Sequence, residues 1–361
     1  MGSEVKSRMV NLSDAGSRVL ALLALLTLSG CVFGRNAEPT ELYPVDSLSR
    51  ALATELGVDS LSVVARVDGG WASGLYLNTV DYDAKGRLHV TDLMRGNVFV
   101  LDDAFEPVDS LTGFTYPYLA GERDSALAVF DPQDLTVRLI EDARNVRPLF
   151  ADLPMGAAGD DALGTFVAIT DSAAWVKQAG EEGERFLQSL DQDIRIPLPG
   201  PMWRYRGPLE LAGNTVYSFS AYRPVVDRLR PGGQRDTLRL NGFDSPMLAR
   251  SRAYVLGDVD EAPLLISSAD WADGRLFVLN LRPGILRIDE YDPSGQLLRI
   301  HSYAEQILLE YTPIDFAVRP LPAGGLEFSI VSFRAVYGTF SLRYESRLDV
   351  LTASPQSGPS K

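Results

Sequence analysis

A thirteen-residue segment occurs twice in the chain, and this repeat constrains the fold more than any other feature. Residues 84–96 read AKGRLHVTDLMRG and residues 272–284 read ADGRLFVLNLRPG, with seven of the thirteen positions identical. The two copies are 188 residues apart, which is four steps of 47. Both copies place a glycine turn just before a β-prone run. Strand-rich repeats of about 40 to 50 residues are typical of β-propeller blades.

Weaker copies of the same strand are expected in the intervening sequence. Their centres, spaced by 39, 39, 50, 60 and 50 residues, are Leu88, Leu127, Phe166, Val216, Leu276 and Leu326. Six blades would fill residues 60–352, and closing them into a ring would remove exposed sheet edges. The sequence therefore predicts an all-β fold, a six-bladed β-propeller. A two-domain β-sandwich is the alternative, although sandwiches lack such a repeat.

The repeat resembles the blades of NHL-type and TolB-like six-bladed propellers. Such blades often read D-x-D-x-x-G-R-L-x-V-x-D, and the pattern is present at Asp81–Asp92. It returns at Asp270–Asn280, with Asn in place of the final Asp. The resemblance implies a fold rather than an activity, because propellers host enzymes, receptors and scaffolds alike.

The first thirty residues have the pattern of a secretion signal. Lys6, Arg8 and Arg18 precede an uninterrupted apolar stretch over residues 19–28. Ten helical residues span about 15 Å, half of the hydrocarbon core, so this stretch is too short for a transmembrane anchor. The triplet Leu-Ser-Gly and the single cysteine of the chain, Cys31, follow directly.

The segment ending at Cys31 resembles the lipobox of bacterial lipoproteins, in which the cysteine carries the lipid. The resemblance predicts a lipoprotein signal peptide over 1–30 and an acylated Cys31. A tether with a short helix is expected over 31–59, and a disordered tail over 353–361. Because Val32 replaces the Asp that retains some lipoproteins in the inner membrane, we expect an outer-membrane protein of the cell envelope whose propeller faces the periplasm.

Composition excludes some classes of partner. The 48 acidic residues outnumber the 34 basic ones, which gives a net charge of -14. Nucleic acid is an unlikely partner, because phosphate binding needs a cationic surface. One cysteine excludes an internal disulfide, and two histidines leave little material for a histidine-based metal centre.

One strand combines residue types that are common in binding surfaces. Alternation along it would place Trp203 and Tyr205 on one face and Arg204 and Arg206 on the other. Aromatic and arginine side chains are enriched in binding hot spots, and two arginines can hold a carboxylate. Alternatively, the aromatics pack between blades while the arginines pair with Asp270 or Asp315. These six residues are the candidate ligand- or partner-binding positions.

Catalytic and metal-binding patterns are sparse. Hydrolytic six-bladed propellers hold calcium above the channel, and the comparable first-strand positions here are Asp81, Asp270 and Asp315. The sequence shows no matching set of Glu and Asn residues. Asp81–Asp92 resembles a calcium loop, but Lys85 stands where an oxygen ligand is needed, so a strand–turn–strand explains it better. We therefore expect no metal, no cofactor and no catalytic residues.

The two histidines are expected to serve packing rather than catalysis. His89 corresponds to Phe277 in the second copy of the repeat, so an apolar residue is acceptable at that position. His301 follows a predicted strand and has no evident partner.

Taken together, these features predict an anchored envelope lipoprotein whose propeller binds or scaffolds a protein partner or a small ligand. The alternative is a calcium-dependent hydrolase or lactonase of the six-bladed class. Residues 61–67 are β-prone and precede the first complete blade. Because an open ring would expose two sheet edges, we expect this strand to pair with the last blade.

Overall fold

Strands account for most of the computed structural model, as the repeat predicts. The structure describes residues 56, 58–142, 145–151, 153, 166–179, 185–198, 206–231, 233–261, 263–282, 284–303, 311–337 and 342–354. Within these residues there is a 3-10 turn at Gly70–Ala72 and one α-helix, α1, at Leu248–Leu256. The all-β class is therefore confirmed.

The strands form five hydrogen-bonded sheets. The first contains β3 (Leu77–Tyr82), β4 (Leu88–Asp92), β5 (Asn97–Leu101) and β6 (Pro107–Leu111). The eight-stranded second sheet contains β7 (Tyr118–Arg123), β8 (Ala126–Asp131), β9 (Thr136–Asp142), β10 (Asn145–Phe150), β11 (Phe166–Ile169), β12 (Ala174–Ala179), β13 (Arg185–Ser189) and β14 (Arg195–Leu198). The third contains β15 (Leu209–Ala212), β16 (Thr215–Phe219), β17 (Val225–Leu229) and β18 (Arg235–Arg239).

The last two sheets each include a short strand from the N-terminal side of the chain. One joins β1 (Asp59–Ser60) to β19 (Ile266–Ala272), β20 (Arg275–Asn280), β21 (Leu286–Tyr291) and β22 (Leu297–Tyr303). The other joins β2 (Ser62–Val67) to β23 (Thr312–Pro320), β24 (Leu326–Tyr337) and β25 (Leu342–Ala353). Because β2 pairs antiparallel with β25, the expected pairing of the 61–67 segment with the last strands is confirmed.

The first strand of each antiparallel group lies beside the first strand of the next. Contacts connect β3 to β7, β7 to β11, β11 to β15, β15 to β19, β19 to β23, and β23 back to β3. Six inner strands thus follow one another in a cycle around a central space. The residues that face this space come from strands far apart in the sequence.

The core lies between neighbouring sheets. Phe277 and Leu279 of β20 pack with Phe328 and Ile330 of β24 in one apolar cluster. In β8, which is covered on both faces, apolar residues occupy consecutive positions rather than alternating: ALAVF precedes Asp131, and every residue of the strand is buried. Sheet-to-sheet packing therefore supplies the hydrophobic stabilisation that a single sheet lacks.

Both copies of the sequence repeat form a strand–turn–strand unit. In the first, the Asp83 carboxylate accepts hydrogen bonds from the backbone N–H groups of Lys85 and Arg87 at 3.0 and 2.8 Å. The turn needs Gly86 because its φ is +75°. The antiparallel pairing of β3 with β4 confirms the predicted strand–turn–strand at Asp81–Asp92.

Among the described helices, none is long and apolar enough to cross a membrane.

Candidate functional site: an acidic pocket between the inner strands

A cavity of about 390 Å³ lies at the centre of the cycle of inner strands. Its walls come from β3, β7, β11, β15, β19 and β23. A volume of this size is within the range of small-molecule sites, roughly 300 to 1,000 Å³. The cavity is therefore the candidate functional site.

Four inner-strand carboxyl groups converge on this cavity, one each from β3, β15, β19 and β23. They are Asp81, Glu210, Asp270 and Asp315. Each side chain keeps an intermediate exposure, and each contributes to the cavity wall. The three aspartates singled out as first-strand positions in the sequence are thus brought together, and Glu210 joins them.

Two of these carboxyl groups tie neighbouring inner strands together. Asp270 of β19 accepts hydrogen bonds from the backbone N–H groups of Trp271 at 2.6 Å and of Val318, on β23, at 2.8 Å. These contacts fix the Asp270 side chain and hold β19 against β23.

Asp315 plays the same role one strand further on. Its carboxylate accepts hydrogen bonds from the backbone N–H of Val80, on β3, at 2.9 Å and from the Ser268 hydroxyl at 2.5 Å. The ladder between β3 and β4 is irregular between Leu77 and Val80, so a backbone N–H is available for a side-chain acceptor at this point. Asp270 and Asp315 are therefore structural links as well as pocket walls.

Burial raises the pKa of all four carboxyl groups, because removal from water disfavours the charged form. Desolvation is the largest cause in each case, and mutual repulsion adds to it for Asp81, Glu210 and Asp270. The pKa of Asp315 rises to about 6. The pocket therefore contains carboxyl groups that resist full ionisation at neutral pH.

Glu210 differs from the other three in its partners. No hydrogen-bond donor to its carboxylate lies among the described residues, whereas Asp81 accepts a hydrogen bond from the Tyr82 backbone N–H at 2.8 Å. Lys177 lowers the pKa of Glu210 through its charge, but the Lys177 ammonium donates to the carbonyl groups of Pro208 and Phe219, at 3.2 and 3.0 Å. The Glu210 carboxylate thus faces the cavity without a direct partner in the described part of the chain.

This isolation leads to a pH-dependent prediction for Glu210→Gln. Since folding raises the pKa of Glu210, its neutral form is favoured in the folded state, and stability is lost as pH rises above the ordinary value of about 4.3. Glutamine removes this loss. We expect equal urea-unfolding free energies for the variant and the wild type at pH 4, and a variant that is more stable than the wild type at pH 8.

Glu106→Gln is the matched control, because Glu106 is exposed and outside the pocket. It should leave the pH dependence unchanged. A wild type as stable as Glu210→Gln at pH 8 would contradict the prediction.

The structure brings only some of the candidate residues predicted from the sequence into the pocket. Asp270 and Asp315 line the pocket, whereas Arg206 is half-buried and is absent from its lining. The backbone carbonyl of Arg206 accepts a hydrogen bond from the Ala221 N–H at 2.5 Å. The other candidates, Cys31, Trp203, Arg204 and Tyr205, lie outside the described residues.

Both histidines are buried, and each contacts a carboxylate instead of the pocket. His89 Nε2 lies 3.0 Å from Asp83, and His301 Nε2 lies 2.9 Å from Glu290. Burial alone would raise the pKa of Glu290, but hydrogen bonds from His301 and Arg275 bring it below its usual value. His89 therefore packs in the interior and also contacts the Asp83 carboxylate. Its alignment with Phe277 in the second copy of the repeat did not indicate this polar contact.

The pocket acids do not form a fitted calcium site. Calcium takes six to eight oxygen ligands, and no group of three or more acidic, histidine or cysteine side chains within the described ranges has an arrangement that holds a metal. Both carboxylate oxygens of Asp270, and both of Asp315, already accept hydrogen bonds from the protein.

Solved structures resemble this chain in fold, but no protein-family model and no curated protein sequence matches it. A gluconolactonase from Xanthomonas campestris is 13% identical, with a TM-score of 0.50 over 78% of this chain and 88% of that one. Inactive virginiamycin B lyase from Staphylococcus aureus with quinupristin is 10% identical, with a TM-score of 0.49 over 81% of this chain and 100% of that one.

A streptogramin B lyase is 9% identical and has a TM-score of 0.48, with coverage of 80% of this chain and 97% of that one. The fold is of the propeller type. At these identities the likeness, which rests on the gluconolactonase, extends to the fold alone, so function must be argued from the pocket.

Proposed function

We propose that this protein is a lipid-anchored protein of the cell envelope whose six-bladed propeller binds a small ligand in the acidic pocket. Two observations support six blades. The eight-stranded sheet consists of two antiparallel groups joined by a single parallel pairing, Ile169 with Gly121, and the inner strands form a six-membered cycle. In this reading, β2 supplies the outer strand of the last blade.

The anchor is proposed from the sequence. The apolar stretch over 19–28 and the Leu-Ser-Gly-Cys31 segment support a lipoprotein signal, with the propeller facing the periplasm from the outer membrane. In this position the protein would also be accessible to an envelope protein partner.

Replacement of Cys31 by serine is expected to remove the lipid anchor. A serine hydroxyl cannot form the thioether that carries the lipid, so the precursor should stay uncleaved or the protein should enter the soluble periplasmic fraction. Fractionation and mass spectrometry of the N-terminus measure this outcome. Normal maturation and unchanged membrane association in Cys31→Ser would contradict the anchor.

The observation that carries ligand binding is the cavity itself. A space of about 390 Å³ is walled by apolar side chains and by convergent carboxyl groups with raised pKa values. A concave site in which polar groups with perturbed pKa values converge is a usual form of a small-molecule site.

Obstruction of the pocket tests this proposal. Ala84 is an exposed residue of the lining, and Ala104 is an exposed residue of another turn, outside the lining. Ligands are first identified by thermal-shift screening of a chemically diverse library and confirmed by calorimetry. Ala84→Trp is expected to weaken binding at least tenfold, and Ala104→Trp to leave it unchanged. A failure of every compound to bind, or equal binding by both variants, would contradict a pocket function.

An enzymatic role is the second candidate, and it is favoured by Asp315. A carboxyl group in a cavity with a pKa of about 6 can exchange protons near neutral pH, as general acid–base catalysis requires. Hydrolysis or elimination would then depend on this group, with no step assigned to calcium. Turnover of a panel of lactones and esters, with an inflection near pH 6 that disappears in Asp315→Asn, would support this role. Activity with an unchanged pH profile in the variant would contradict it.

A further inference from the structure

The charged residues that line the pocket are all acidic. Six of the lining residues are Asp or Glu, and no Lys, Arg or His is among them: Asp81, Glu122, Asp171, Glu210, Asp270 and Asp315. Each of these groups that ionises makes the potential inside the cavity negative, and walls of low dielectric strengthen that potential. A bound cation favours the ionised carboxylate and so opposes the rise in pKa that burial causes.

Most of these carboxylates already have donors from the protein. In addition to the contacts of Asp81, Asp270 and Asp315, Glu122 accepts the Ala84 backbone N–H at 2.5 Å. Asp171 likewise accepts the Asp124 backbone N–H at 2.7 Å. Within the described chain, Glu210 stands apart, because its carboxylate faces the cavity without a donor. A partly buried carboxylate left without a donor is costly, so a ligand that donates there gains binding energy.

The rest of the wall is suited to a carbon skeleton. The lining also includes two partly exposed aliphatic residues, Leu119 of β7 and Val167 of β11. Trp271, an aromatic residue, is also among the lining residues. A hydrated inorganic ion would leave this apolar surface uncovered, whereas an organic molecule would cover it.

We propose that the ligand of this pocket is an organic cation, with an ammonium group that donates to Glu210 and a hydrocarbon portion that packs on the aliphatic wall. This inference rests on the proposed function, since it specifies the ligand class of the same pocket. A charge-assisted hydrogen bond forms between the ammonium N–H and the Glu210 carboxylate. The surrounding carboxyl groups strengthen the attraction for the cation and repel anions.

Matched probes of one shape and different charge test the ligand class. The probes are 2-phenylethylammonium, neutral 2-phenylethanol and anionic 3-phenylpropanoate, with Ca²⁺ as a separate inorganic cation. Calorimetry on the full-length protein at pH 7.5 measures each dissociation constant. We expect 2-phenylethylammonium to bind at least tenfold more tightly than 2-phenylethanol, and 3-phenylpropanoate not to bind.

The variant Glu210→Gln tests whether the preference for the cationic probe over the neutral one depends on this side chain. The variant is expected to bind 2-phenylethylammonium and 2-phenylethanol within about threefold of each other, while Glu106→Gln keeps the wild-type preference. Circular dichroism confirms that both variants are folded.

The outcomes separate this inference from the proposed function. Binding of the neutral or anionic probe as tight as that of the cation would overturn the organic-cation class and leave a pocket function standing. The same holds if Glu210→Gln retains the preference. Binding of Ca²⁺ alone would assign the pocket to an inorganic cation and overturn the inference. If no probe and no library compound binds, both proposals fail.

Discussion

Deletion of residues 32–67, with residues 1–31 retained, is expected to abolish cooperative unfolding of the domain, whereas deletion of residues 32–58 is expected to leave it intact. The longer deletion removes β1 and β2, and the shorter one ends just before them. Melting curves followed by circular dichroism, together with size-exclusion chromatography, measure the difference. We expect a loss of at least about 4 kcal/mol for the longer deletion, beyond the usual range of single substitutions.

The physical reason is the position of β2. It pairs with β25 from Ser62, opposite Thr352, to Val67, opposite Leu348. The Arg66 guanidinium also lies 2.8 Å from the Asp349 carboxylate. Without β2, the N–H and C=O groups of β25 that face β2 would lose their partners, and an exposed strand edge promotes aggregation.

The shorter deletion serves as the control, because it removes a similar stretch of chain and no described strand. Equal melting temperatures for the two deletions would show that the pairing of β2 with β25 does not stabilise the domain. A large loss in the shorter deletion would instead assign the stabilisation to residues 32–58.

Gly121→Ala is expected to destabilise the protein by about 3 kcal/mol or more, while Gly113→Ala costs about 1 kcal/mol. Both glycines have positive φ, +103° and +95° respectively. A methyl group at position 121 would lie 2.2 Å from the backbone carbonyl oxygen of Ile169, whereas at position 113 nothing lies within 4 Å. The two variants therefore share the backbone strain and differ in the clash.

The clash would act at the joint between β7 and β11. Gly121 and Ile169 form the parallel pairing that joins these inner strands, and both residues line the pocket. Because the opposing atom belongs to the backbone, no side-chain rotation can relieve the contact. Urea unfolding measures both free energies. Similar losses in the two variants would show that β7 and β11 separate at little cost.

The sequence repeat predicted the fold class well, because each copy contains a turn and a strand with a clear pattern. The prediction was wrong for Phe166, which was assigned to the same strand as Leu88 but lies in β11, the inner strand of its group. The strand equivalent to β4 in that group is β12, and the turn between β11 and β12, residues 170–173, has no glycine. That turn lacks the glycine of the repeat, whereas Gly164 lies just before Phe166 in the segment GTFVAIT.

The pocket was predicted less completely than the fold. Asp81, Asp270 and Asp315 share the Asp-containing strand pattern or its expected position, so they were singled out. Glu210 was missed because it lies between two leucines in Leu-Glu-Leu-Ala, which reads as an ordinary strand. Only the cyclic order of the inner strands brings β15 opposite β3 and β23. Such proximity depends on long-range pairing that no local pattern contains.

The described chain begins at the strands that hold two sheets together, and this has a mechanical consequence. Here β1 pairs in parallel with β22, and β2 pairs antiparallel with β25 in the neighbouring sheet. A pulling force applied on the N-terminal side of Asp59 reaches the two-residue pairing of β1 first and β2 next. In the proposed anchored protein, tension between the membrane and the folded body would thus be delivered to the pairings of β1 with β22 and of β2 with β25. The resistance of the chain to such a force depends on how many of the hydrogen bonds between β2 and β25 must break at the same time.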